Sequence, residues 1–202
     1  YELSEDDSQA ILDAKSKARY DAAGFTTLEQ LRSASWEELT KAAGNSWVDK
    51  TAISFSPHTD GVLLTEGFNS ACYNNTIADI PYMIGSCSND IPVLTKGLQK
   101  FAEVRDSLSH QPTFIYYFDR PLPSDGRKCL EGAFHSSELW YVFHTLKRSW
   151  RPFTPADYAL SNQMVDYWTN FCKYGNPNGT SAGDWHNSTK TAPVTKTLSI
   201  QK

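Results

Sequence analysis

"IPYMIGSCSNDIPVLTKGLQKFAEVRDSLSHQPTFIYYF", residues 80–118, is the stretch that decides the fold class. Two short apolar runs close its ends. One is "IPYMIGS", 80–86; the other is "TFIYYF", 113–118, bounded by Pro112 and Asp119. Both have the length of a buried strand, and the second is rich in aromatic and β-branched residues. Between them, "LTKGLQKFAEVRDSLSH" carries Leu98, Ala102 and Arg105 at helical spacing. Strand, helix, strand reads as a βαβ unit. A crossover helix returns the chain to the end where it started, so the two strands run parallel. The expected fold class is therefore α/β, with parallel central strands flanked by helices.

Parallel neighbours send their exit loops to the same sheet edge, where open α/β sheets form their sites. The first exit loop is "GSCSND", 85–90, ending in Asp90. Past the second strand lies "EGAFHSSELWYVF", 131–143, with His135 between small residues and serines. Asp90 could accept a hydrogen bond from the His135 imidazole, fixing its tautomer and stabilising the imidazolium of a proton transfer. The plainer readings stay open: a satisfied core histidine, and an aspartate in an Asx turn or helix cap. His58, His110, His144 and His186 read as structural or exposed.

An acid followed by a histidine on successive strand ends is the second half of a Ser-Asp-His triad. The serine should stand on a sharp strand-to-helix turn. The single G-x-S-x-G, "GTSAG" at 179–183, follows a helix exit, precedes no amphipathic helix and comes after the histidine. Ser181 is rejected as nucleophile on those grounds. Ser136 and Ser137 adjoin His135 and cannot easily reach its far ring nitrogen. No H-G-G-G-type oxyanion segment is present either.

The flanks read as scaffold. Ser4 with Asp7, and Ser35 with Glu38, form capping patterns for helices that stop at Gly24 and Gly44. Asp60-Gly61 marks a turn. Thr154, Pro155 and Asp157 start a long helix whose apolar face runs through Leu160, Met164, Trp168 and Phe171, widened by Tyr167. Gly175 and Pro177 end it, and "TLSIQ", 197–201, suggests a last edge strand. No interdomain linker is evident, so residues 1–202 read as one partial domain.

Composition narrows the function classes. Of 202 residues, 40% are hydrophobic and 21% charged, a globular composition. The net charge of −4 and the lack of a basic block argue against a nucleic-acid partner. No apolar run is long enough for a membrane span. Cys72, Cys87, Cys129 and Cys172 lie far apart, with no zinc spacing, and read as free thiols. Neither a metal nor a cofactor is called for. N-x-S/T sequons occur at Asn74, Asn178 and Asn187. The chain opens at Tyr1 without a methionine and reads as a processed or cut piece. Its cellular location would follow from an N-terminus lying outside it.

"GAFHSSELWYVF" resembles the histidine motif of the type-B carboxylesterases, the group that includes cholinesterases and bacterial para-nitrobenzyl esterases. The likeness covers nearly the whole chain. "DGVLL" resembles the family's D-G-x-x-L segment, and "IPYMIGSCSND" its apolar strand ending in a G-x-x-x-[DN]-[ED] turn. "RPFTPADYALSNQMVDYWTNFCKYGNPNG" is similar to its C-terminal helix and G-[ND]-P-N exit. The resemblance implies the C-terminal portion of an α/β-hydrolase fold. It makes His135 the catalytic base and puts Asp90 at the acid position, where many members carry glutamate. Asn89 is the neighbour should the register differ by one. Glu138 matches the acidic residue three after the histidine. It would hydrogen-bond water or backbone near the site, or stand exposed in a helical first turn. The nucleophile elbow and oxyanion glycines belong to the N-terminal half of the family fold, which is missing here. The implied function is a fragment of a serine carboxylic-ester hydrolase acting on a small-molecule ester, inactive by itself. The alternative is a non-catalytic adhesion or binding module on the same fold. Trp140 and Trp150 could wall a substrate pocket, or serve as core packing. A half-sheet with an open edge is expected to self-associate.

Overall fold

The computed structural model describes residues 9–46, 48, 49, 51–53, 59–90, 95–181 and 183–200. His58 and the Ser4–Asp7 pattern lie outside the described residues. The chain groups into two compact units, one holding residues 9–71 and the other residues 72–200.

The first unit is helical: α1 (Gln9–Ala22), α2 (Leu28–Ser33) and α3 (Trp36–Ala43); α4 (Phe68–Asn74) begins in it and ends in the second unit. The Ser35–Glu38 capping box forms as expected, with Ser35 N–H donating to Glu38 at 2.8 Å and Glu38 N–H donating to Ser35 Oγ at 3.3 Å. A second box, Thr27 with Gln30, starts α2. Arg19 ties the unit together. Its Nε donates to Ala42 O at 2.9 Å and its Nη1 meets Asp49 at 2.9 Å.

The second unit carries the sheet. β1 (Tyr82–Cys87), β2 (Thr113–Phe118) and β3 (Lys196–Leu198) stand in that order, all parallel. α5 (Thr95–Ser107) is the crossover between the first two. The βαβ expectation thus holds. β1 starts two residues later than the apolar run, because Pro81 has no N–H to donate to a ladder. The register runs unstaggered from Tyr82↔Thr113 to Cys87↔Phe118, so both strands end level. Ser88 N–H adds one more rung to Phe118 O at 2.9 Å.

Arg105, one of the helically spaced residues of α5, is a buried cation at 1% exposure. Its guanidinium lies 4.4 Å above the Tyr82 ring and donates to Ile80 O at 2.8 Å. Asp79 balances the charge at 3.7 Å. The long aliphatic stem packs like a hydrophobe while the head clasps the strand entrance.

α6 (Leu139–Val142), a 3₁₀ turn (Leu146–Arg148) and α7 (Pro155–Tyr174) cover one face of the sheet. Leu160, Met164 and Tyr167 of α7 are buried, and Trp168 and Phe171 pack at the margin. They meet Phe114, Phe118, Tyr141, Leu198 and Trp185. Trp185 is fully buried, edge-on to Tyr167 with ring centroids 5.0 Å apart. Asp157 fixes α7 to the loop that carries His135. Arg120 reaches it at 2.7 and 3.1 Å, Tyr141 Oη donates at 2.7 Å, and Thr154 donates twice at 2.8 Å. Those donors hold its carboxyl down to about 2 despite its burial.

Candidate active site

Beyond the level strand ends, the two exit loops continue the ladder for one more step. Asn89 pairs with Phe134 in an isolated parallel bridge, and Asn89 N–H donates to Ala133 O at 2.9 Å. Gly132 permits this approach. Its φ is +76°, and a Cβ there would stand 2.7 Å from Asn89 Oδ1. The next residues along the two loops are Asp90 and His135. His135 Nδ1 and Asp90 Oδ1 are 2.6 Å apart. The carboxylate can only accept, so Nδ1 carries a proton, and in the neutral ring Nε2 is the nitrogen with the free lone pair. It is Asp90, not Asn89, that faces the histidine.

The pair is held unequally. Asp90 is 7% exposed, and its second oxygen accepts from Cys87 N–H at 3.0 Å. His135 is 71% exposed, so the carboxylate is anchored in the fold while the imidazole faces outward. Ser136 follows at φ +69°, a left-handed turn directly after the histidine.

A second polar group lies behind Asp90. Cys87 Sγ is 2.8 Å from Glu138 Oε2, and Ser137 Oγ donates to the same sulfur at 3.7 Å. Burial, then the Glu138 carboxylate, pushes the Cys87 thiol up to about 12, so it stays protonated and donates. Tyr116 completes the group. Its ring lies across β1 where Gly85 has no side chain; a Cβ on Gly85 would stand 2.3 Å from the ring. Burial first, and then Glu138, Cys87 and Asp90, raise its phenol above the ordinary range. The sequence did not single out Cys87, Tyr116 or Gly85 as parts of the site. The G-x-C spacing on an apolar strand looks the same in any buried strand.

The remaining candidates fall elsewhere. Ser137 is buried against Cys87, and Ser181 is exposed in the loop after α7. His110 Nδ1 contacts Asp79 at 2.9 Å, and His144 Nδ1 contacts Ser161 Oγ at 3.0 Å. Trp150 is flanked by Arg127 and Arg151 at 4.8 and 5.0 Å, and Trp140 packs against the core. All four cysteines are free thiols. Among the described residues no cluster of three or more His, Cys, Asp or Glu is arranged to hold a metal. No described helix is long and apolar enough to cross a membrane.

A parallel sheet with an acid and a histidine on adjacent strand exits is an α/β-hydrolase arrangement. The model of the carboxylesterase family matches residues 92–202, and the chain belongs to that family. Acylcarnitine hydrolase of Mus musculus is 36% identical over 81 residues, 38% of this chain and 14% of that protein. Bile salt-activated lipase of Homo sapiens is 34% identical over 86 residues, 42% of this chain and 11% of that one. Among solved structures, a thermophilic PNB esterase superposes with a TM-score of 0.67 at 20% identity, covering 94% of this chain and 50% of its own. A carboxylesterase of Geobacillus stearothermophilus gives 0.68 at 20% identity, covering 93% of this chain and 50% of its own. The fold is thus the C-terminal portion of an α/β hydrolase. The chain spans about half the length of these solved structures and a smaller share of the curated relatives.

Proposed function

We infer that this chain supplies the base and the acid of a serine carboxylic-ester hydrolase. The observation carrying this is the 2.6 Å contact between His135 Nδ1 and Asp90 Oδ1 at level ends of parallel strands. His135 Nε2 takes the proton of a serine hydroxyl as that oxygen attacks the ester carbonyl. It then gives the proton to the leaving alcohol, and next activates the water that releases the acid. Asp90 holds the imidazole in the required tautomer and offsets the positive charge that forms on it. The serine and the oxyanion donors come from the half of the fold that this chain does not span. No step needs a metal or cofactor.

The test is turnover of a model aryl ester by the intact protein, by its variants and by this chain alone. His135→Ala in the intact protein should lower kcat by about 10⁶-fold, and Asp90→Asn by about 10⁴-fold. This chain alone should show no turnover above buffer. Full activity in His135→Ala, or turnover by this chain matching the intact protein, refutes the assignment. A replaced serine in the remaining half would favour the non-catalytic binding module.

A further inference from the structure

Cys87 occupies an unusual position among the groups of the site. Its backbone N–H holds Asp90 Oδ2 at 3.0 Å, and its thiol holds Glu138 Oε2 at 2.8 Å. One residue therefore bonds both carboxylates, the one that touches His135 and the one three residues after it. The thiol is 1% exposed, and Ser137, whose hydroxyl donates to the sulfur, is fully buried. Hydrogen bonds run in one direction, from Ser137 to Cys87 to Glu138. Glu138 is part-buried, and a carboxylate drawn partly out of water is stabilised by a donor aimed at it. A neutral thiol polarised by a hydroxyl is the donor present at this position.

We propose that Cys87 is a positioning residue for the acid–base pair, its backbone N–H holding Asp90 and its thiol holding the Glu138 carboxylate. This deepens the esterase reading and rests on it. The negative charge of Glu138 adds to that of Asp90 in favouring the imidazolium of His135. Around the thiol the titratable groups are Glu138, Asp90 and Tyr116; Tyr116 stays neutral because its phenol is raised. Replacing the thiol with an apolar group of similar size removes the donor without removing bulk. Glu138 then loses the donor that orients its carboxylate, and its negative charge is no longer held in place relative to His135.

The prediction is read on this chain, without turnover, by NMR titration of the His135 ring. Cys87→Val and Glu138→Gln should each lower the His135 midpoint by about half a pH unit or more. The double variant should fall no further than Glu138→Gln alone, since both remove the same charge. Cys87→Ser, which keeps a donor, should restore most of the midpoint. Asp90→Asn is the control for the pair itself. A midpoint unmoved by Asp90→Asn overturns the His135–Asp90 reading. A midpoint moved by Asp90→Asn but unmoved by Cys87→Val overturns the role of Cys87 alone. Additive shifts in the double variant also overturn it. Should the valine variant not fold, Cys87→Ala takes its place with the same expected outcomes.

Discussion

Asp157→Asn tests what holds the histidine loop to the rest of the sheet unit. Asp157 is fully buried and accepts from Arg120, Tyr141 and Thr154. Arg120 lies just past β2, and Tyr141 lies on the short helix after His135. One carboxylate therefore joins the strand exit, the loop and the start of α7. Asparagine has nearly the same shape but carries no charge and turns one acceptor into a donor. The Arg120 guanidinium, only 23% exposed, loses its counter-charge and at least one donor is left facing another. Breaking a buried pair on one side costs about 3–5 kcal/mol. The pH dependence gives an independent measure. A carboxyl held at about 2 in the folded chain, against an ordinary 3.8, contributes about 2 kcal/mol at neutral pH. Because the folded value is depressed, that contribution is complete above the unfolded value. It is lost as the pH falls from about 4 towards 2. Urea unfolding followed by near-UV circular dichroism, dominated by the packed aromatics around Trp185, should show a loss of about 3 kcal/mol at pH 7. The corresponding fall in Tm is on the order of 10 °C. Between pH 4 and pH 2 the parent chain should lose stability more steeply than the variant. A pH 7 loss under about 1 kcal/mol, with parallel acid profiles, would refute the reasoning.

Other substitutions probe the site's geometry. Gly132→Ala places a Cβ near Asn89 at a left-handed φ, so it should cost about 1–2 kcal/mol. Faster amide exchange at Asn89 should accompany it, and unchanged exchange would count against the loop ladder. Gly85→Ala meets the Tyr116 ring and should displace it, at a cost of about 1–3 kcal/mol. The check is the Tyr116 ring shifts in NMR, which should stay put if the ring does not lie across β1. β1 pairs only with β2 among the described strands, so this chain alone should self-associate in light scattering. A clean monomer at high concentration would contradict that.

Several parts of the fold were legible because their causes are local. "TFIYYF" is the second strand to the residue, since apolar aromatics, a preceding proline and a following aspartate bound it without help from distant residues. Ser35–Glu38 and Thr154–Asp157 mark helix starts through contacts spanning three residues. The apolar face of α7 follows from its period. Asp157 was legible only as an acidic residue in the helix's first turn; nothing local tells that Arg120 and Tyr141 converge on the same oxygen. Arg105 was legible as a helically spaced residue but not as a buried cation, because burial of its guanidinium depends on a tyrosine ring and carbonyls far away in the chain.

The amino-acid sequence by itself determined that the apolar runs 80–86 and 113–118 are strand segments joined by a helix and so run parallel. It determined too that Asp90 and His135 leave at the same edge. Periodicity and punctuation act over a few residues, and chirality and connectivity supply the rest. Only the tertiary structure decided the register, which is a matter of which rung faces which. The unstaggered ladder from Tyr82↔Thr113 to the Asn89↔Phe134 bridge selects Asp90 over Asn89 for His135. It decided also that a cysteine on the apolar strand donates to Glu138, 51 residues away in the chain. Contacts of that range depend on packing and on the close approach that Gly85 and Gly132 allow, and no local pattern encodes either.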